Sequence, residues 1–320
     1  MLILLAGAAL AGAVTALVPL GLVALPAFFA YAMGRTKPAF LALFGGVYAA
    51  AAVFLYPWLT AAGFCILCIG MAAALYWMQT RGQSNTYTAL ALLGIALAAL
   101  YAMVCLPGIL SGAGAFAPIQ AAAEEFAAIV KEMAAVMPGI APEALAQLNA
   151  LAEQLSGMAA AMTVPVLCVL AQALGFINLL LFKALAKMGK LKVTPMRPFR
   201  LWAIPQSMTY GLVFLLLASL ALEWTGWEYA ESLSNTVNIL VGMPLVLQGL
   251  CVVDFMIVRG GKNIAQRRIL FYLGGWLVSW LMQMPLLFQT PLMMVGCFDQ
   301  IFRFRARLSG MPPIKPPRGL

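Results

Sequence analysis

The sequence predicts an all-α fold: a polytopic transmembrane helical bundle of about 8 to 10 membrane helices, some short, with an extracytoplasmic amphipathic helical hairpin. Three observations carry this. Of 320 residues, 64% are hydrophobic and only 9% charged, with a mean hydropathy of +0.97, whereas soluble domains are roughly 45–50% apolar. The apolar residues come in runs near the roughly 20 residues that cross a bilayer as helix. The basic residues between those runs fall in alternate loops, as the positive-inside rule requires.

The first 34 positions carry no charge and are interrupted by Pro19 and Pro26, which suits one kinked helix or two short ones. With no Lys or Arg before Arg35, this stretch lacks the charged start of a signal peptide and is expected to stay as membrane structure. Further spans are expected near 39–56, 58–78, 89–110, 162–183, 203–222 and 236–258. The stretch 269–298 is long for one helix and holds Pro285 and Pro291, so it reads as a hairpin of two short helices or one bent span. This gives N-terminal membrane helices at 1–110, an insert at 111–161, C-terminal membrane helices at 162–298 and a basic, Pro-rich tail at 299–320.

The insert is not apolar enough to span. It carries Glu124, Glu125, Glu132, Glu143 and Glu153 against the single base Lys131. Phe126, Ile129, Val130, Met133 and Met137 recur at helical spacing, as do Leu145, Leu148, Leu151, Leu155, Met158 and Met162, which predicts two amphipathic helices punctuated by Pro138 and Gly139. Such a hairpin either rests on the bundle or the bilayer surface or forms a lid over a cavity.

Charge fixes the expected orientation. All of the nineteen basic residues except Lys131 fall on one side of the alternation, and all of the ten acids except Asp254 and Asp299 fall on the other. The expected setting is a bacterial inner membrane, with the basic loops and C-terminus cytoplasmic and 111–161 outside. The formal charge of +9 is thereby explained by topology, and no nucleic-acid partner is expected. The lipid bilayer is the expected partner.

Histidine is absent, which removes the commonest general base and metal ligand. Cys65 and Cys68 form a CxxC, but Phe64, Ile66, Leu67 and Ile69 surround them, and all six cysteines read as small apolar side chains. There is no Walker motif. No catalytic residue, metal site or cofactor is expected, and the chain reads as a non-enzyme.

Polar residues within spans are the candidate sites, because they are costly there. Asn178, Asn238, Gln248 and Asp254 are the ligand-binding candidates, with Gln172 and Gln283 as further polar positions. At about 100° per residue Gln248 lies roughly 80° from Asn238 and Asp254 roughly 160°, so these three do not line one pore. Asp254 precedes Arg259 by five residues and reads also as a locally paired carboxylate; Asp299 with Arg303 at i+4 reads as a structural end clamp. Ala8, Gly12 and Ala16 form a small-residue face suited to close helix packing. Pro195, Arg197, Pro198, Arg200, Trp202 and Pro205 make a basic, aromatic elbow; Arg197, Arg200 and Trp202 are either interfacial anchors or docking residues.

The Phe199–Pro205 stretch, the helix from Asn238 through Gln248 and Gly249, and the closing Gly296, Asp299, Phe302, Phe304, Arg305 pattern resemble the YybS-like family of predicted bacterial membrane proteins. In general layout the chain is also similar to the S components of energy-coupling-factor transporters. That resemblance implies a small-ligand-binding, transporter-associated subunit whose first helix docks a coupling subunit through Ala8, Gly12 and Ala16. Extra helices and the outer insert depart from the six-helix S component. The expectation from a different class is a cell-envelope scaffold, with an envelope protein as partner and no transport.

Overall fold

The computed structural model describes residues 23–35, 38–136, 142–196, 198–226, 230–261, 263–281 and 286–309. Ala8, Gly12, Ala16, Arg197 and Gln283 lie outside this set. The described residues are helical or irregular, with no strands among them. The chain divides into two compact units, Met1–Thr194 and Pro195–Leu320.

In the first unit, α1 (Leu25–Met33) begins with Pro26 in its first turn, where a missing N–H has no intrahelical partner to lose. After α2 (Pro38–Leu55), α3 (Trp58–Cys65) and α4 (Met71–Thr80) run together through a π-helical turn, Ile66–Gly70. The Ser84 hydroxyl caps α5 (Asn85–Val104), accepting the Tyr87 N–H at 3.2 Å. A short α6 (Leu106–Leu110) leads to α7 (Ala117–Val136) and then to α8 (Pro142–Met188), whose 47 residues make a rod of roughly 70 Å. The expected boundary at 161 therefore falls inside one continuous helix: the second amphipathic helix and the span after it are the same element.

Small residues explain how the first unit closes. Ala27, Ala30, Ala72, Ala96, Ala99 and Ala171 alternate in its core with Phe29, Leu67, Met71, Leu75, Leu92 and Phe182. Lipid tails are as apolar as leucine, so helices associate through close packing, which short side chains permit. Cys68 joins a second cluster with Leu25 and Tyr48, its Sγ donating to the Tyr48 hydroxyl at 3.1 Å.

The second unit holds a 3-10 turn (Phe199–Leu201), α9 (Gln206–Glu223), α10 (Ala230–Arg259), α11 (Ile264–Leu281), α12 (Leu286–Phe302) and α13 (Phe304–Ser309). Helices α10 and α12 cross at Gly249 and Gly296. A Cβ on Gly249 would overlap the Leu292 carbonyl, and one on Gly296 would overlap the Leu245 carbonyl and come within 2.9 Å of the Gly249 nitrogen.

Among the described residues four helices are long and apolar enough to cross a membrane: Trp58–Thr80, Asn85–Val104, Ala161–Met188 and Leu233–Arg259. Ala42–Leu55 and Tyr210–Glu223 are shorter apolar helices. This set is smaller than the expected 8 to 10. Helices α2 and α9, which contain the stretches Ala42–Leu55 and Tyr210–Glu223, are each 18 residues long.

The helix crossing yields a paired test. Gly249→Ala should cost about 1–3 kcal/mol through overpacking against backbone that cannot yield. Gly94→Ala, where the added methyl meets nothing within 4 Å, should stabilise by up to about 1 kcal/mol through helix propensity. Thermal midpoints of the two purified variants in detergent check the contrast.

Candidate functional site: polar clamps on broken backbone

Pro195, Pro198 and Pro205 keep the elbow out of regular helix, so its backbone groups lack intrahelical partners. Where such groups are packed away from water, they need partners from the protein. Three buried side chains do this. Arg305 Nη1 donates to the carbonyls of Arg200 at 2.9 Å and Trp202 at 2.7 Å. The Ile204 N–H donates to Gln248 Oε1 at 2.9 Å, and the Ile204 carbonyl accepts from Gln300 Nε2 at 2.6 Å.

Asp299 supplies the balancing charge. Its carboxylate accepts from Arg305 Nε at 2.9 Å and lies 2.7 Å from Nη2, while its other oxygen accepts the Arg305 backbone N–H at 3.1 Å. Gln248 Nε2 donates to Asp299 at 3.2 Å and also to Gln300 Oε1. Gln248, Asp299, Gln300 and Arg305 are all buried.

The expected partner of Asp299 is thus corrected: the carboxylate is clamped by Arg305, and Arg303 has a different task. Arg303 sits between α12 and α13 with φ of 54°, in the left-handed region, and its N–H donates to the Asp299 carbonyl at 2.7 Å. That reversal returns the chain so that Arg305 faces Asp299. Straight-helix i+4 reasoning fails because the helix ends at Phe302. The clamp residues Arg200 and Trp202, expected as docking side chains, contribute their carbonyls, while the Trp202 ring stacks edge-on against Phe199 at 5.3 Å.

The same logic recurs in the first unit. Asn178, fully buried on α8, accepts the Ala27 N–H at 3.0 Å and donates to the carbonyls of Val23 and Leu174 at 2.9 Å each. It caps the start of α1. Lys183 is also buried and donates to Gln79 Oε1 and to the Thr194 carbonyl. Gln79 Nε2 donates to the Thr88 hydroxyl at 2.6 Å, and the Thr194 hydroxyl donates to the Gln83 carbonyl at 3.0 Å. These bonds hold the non-helical chain after α8 against the end of α4.

Asp254 is bonded bidentately to Arg268 on α11, at 2.6 and 2.9 Å. Asn238 is exposed and donates to the Ser234 hydroxyl at 3.4 Å on its own helix. The four ligand-binding candidates therefore do not converge. The shallow, open groove beside α11 is lined by Ile257, Arg267, Leu270, Phe271 and Gly275, with none of the four in its wall. Among the described residues no three or more His, Cys, Asp or Glu side chains gather as a metal site.

Sequence reasoning did not find Gln79, Thr88, Lys183 or Thr194 as a buried cluster. Lys183 reads as one base in a run of loop bases, and its partner Gln79 lies 104 positions away, with no spacing to signal the pairing. Arg305 belongs to the closing motif, but only the turn at Arg303 shows which side chain it serves.

Two substitutions separate these roles. Arg305→Ala should cost about 3–5 kcal/mol by leaving a buried carboxylate unpaired. Arg303→Gly should be neutral or stabilising by up to about 1–2 kcal/mol, since glycine adopts positive φ without strain. Equal losses in the thermal midpoints of both would show that the Arg303 side chain is itself part of the clamp.

Nothing among the curated proteins matches the chain, and no solved structure does. A family model described as Predicted membrane protein (DUF2232) matches residues 1–299. That match takes in the elbow, the Gln248–Gly249 pair and the stretch from Gly296 to Asp299, and the chain belongs to this family of membrane proteins.

Proposed function

We propose that the protein is a non-catalytic, multi-pass inner-membrane protein of the bacterial cell envelope that acts by binding other proteins at its surfaces. The observation that carries this reading is that Asn178, Gln248 and Asp254 are each bonded within the chain. Asn178 and Gln248, two of the four candidates for recognising a small ligand, spend their donors and acceptors on backbone and buried side chains of the same chain. Asp254 spends its carboxylate on Arg268. A ligand binding through these atoms would have to break bonds that the fold needs, and each buried group left unpaired costs about 1–3 kcal/mol.

In this reading the basic loops and C-terminus face the cytoplasm and the acidic segment 117–160 faces outward, following the distribution of Lys and Arg. Surface contacts then have opposite charge preferences on the two sides. An S-component-like subunit differs in one measurable respect: it holds a small molecule and travels with an ATPase pair and a coupling subunit.

Purification of the tagged protein from its native membrane in mild detergent, with mass spectrometry of proteins and small molecules, tests the choice. The expected result is a stoichiometric envelope-protein partner and no retained ligand. A stoichiometric small molecule, or an ATPase pair lost on Gly12→Leu, would overturn the proposal in favour of the transporter subunit.

A further inference from the structure

Helices α7 and α8 pack along each other, joined by an ion pair between Lys131 and Glu153 at 2.8 Å. Ala127 on α7 and Ala152 on α8 are buried in that contact. To one side of it lies a face that the pairing leaves open. Phe126, Ile129 and Met133 share an arc of about 60° on α7 at 3.6 residues per turn, and Phe126 and Met133 are 57% and 58% exposed. On α8, Leu148, Leu151 and Met158 share the corresponding arc, with Leu151 56% exposed. Because the helices are antiparallel, both arcs turn to the same side, away from the Lys131–Glu153 pair. Glu125 and Glu132 form the edge of this face on α7.

Lipid does not account for the face. Helix α8 runs without a break for 47 residues, roughly 70 Å, against a hydrocarbon core of about 30 Å. Its apolar stretch is Ala161–Met188, and the first part of the helix, which carries Glu143 and Glu153, therefore extends beyond the core. Pro165 can kink the helix, but a proline kink of about 30° does not lay it flat on a bilayer. A second copy fits poorly too, since the segment has five acids against one base and would bring like charges together. Residues 1–22 carry no charge and give the acidic edge nothing to pair with.

We propose that this face docks an amphipathic helix of another membrane or envelope protein, one whose apolar stripe is flanked by Lys or Arg. The proposal rests on the protein-binding function above and names the surface and the chemistry of its partner. The occupant's apolar side chains cover Phe126, Met133 and Leu151, and its bases meet Glu125 and Glu132.

A photoreactive phenylalanine analogue placed at Phe126 or at Leu151 in the full-length protein, in its native membrane, tests this by sequencing the linked peptide. The expected adduct is a helical segment of a different chain with Lys or Arg beside its apolar residues, and its yield should fall roughly tenfold when Glu125 and Glu132 are both changed to Lys. Adducts to lipid, to a second copy or to residues 1–22 would overturn the proposal. So would no adduct in protein whose hairpin is intact, as judged by resistance of segment 117–160 to limited proteolysis. If the detergent purification still yields a stoichiometric partner, such a failure sinks this face alone; a stoichiometric small ligand sinks the functional reading itself.

Discussion

The constraint on which this structure depends is that a backbone broken by proline and packed against buried side chains must find its hydrogen-bond partners outside regular helix. A helix satisfies its own N–H and C=O groups, and a proline-rich elbow does not. The second unit answers with a buried ion pair, Arg305 with Asp299, and two amides, Gln248 and Gln300, all aimed at the elbow's main chain. Arginine suits the task because one planar group reaches two carbonyls and a carboxylate at once. The glycines at 249 and 296 serve the same end. They let α10 and α12 touch, which brings Gln248 within reach of Asp299 and Gln300.

The first unit applies the rule twice more with different residues. Asn178 does for the start of α1 what a serine or aspartate cap does in water, but from a separate helix. Lys183 brings a positive charge into the interior and places it on neutral oxygens, a side-chain amide and a carbonyl. Polar side chains in these helices are therefore explained by the breaks they stand beside. A lone intramembrane amide is commonly a sign of function, and here Asn178, Gln248 and Gln300 each hold backbone of the same chain.

How much of this was legible in the sequence follows from the range of the interactions. Helical character, the amphipathic period of 117–160 and the packing role of the cysteines are written in local composition, and local composition is what periodicity reads. The residue types in the clamps were also visible, since Asn178, Gln248, Asp254 and Asp299 stand out against apolar neighbours. Their partners were not. Asn178 meets Ala27 across 151 positions and Arg305 meets Arg200 across 105, and no spacing rule operates at such distances. Arg303 misled for a different reason: the i+4 rule presumes a helix, and the chain leaves the helix at that residue by adopting φ of 54°. The continuity of α8 was missed because a change from amphipathic to apolar composition looks like a boundary, although the backbone crosses it unbroken.

That continuity ties the parts of the first unit together mechanically. One helix carries the exposed face at Leu148 and Leu151, the cap for α1 at Asn178 and the clamp on the following chain at Lys183. A helix transmits rotation and translation along its axis unless something absorbs them. Along α8 the absorber is Pro165, whose missing N–H weakens the ladder near the start of the span. A load on the outer half therefore has two outlets. It bends the helix at Pro165 and stops there, or it reaches Asn178 and Lys183 and strains hydrogen bonds buried beyond the access of water. The second outlet is the costlier one, because a buried polar group that loses its partner has no substitute. Pro165 lies between the exposed face at Leu148 and Leu151 and both clamps, so a bend there spares the bonds of Asn178 and Lys183.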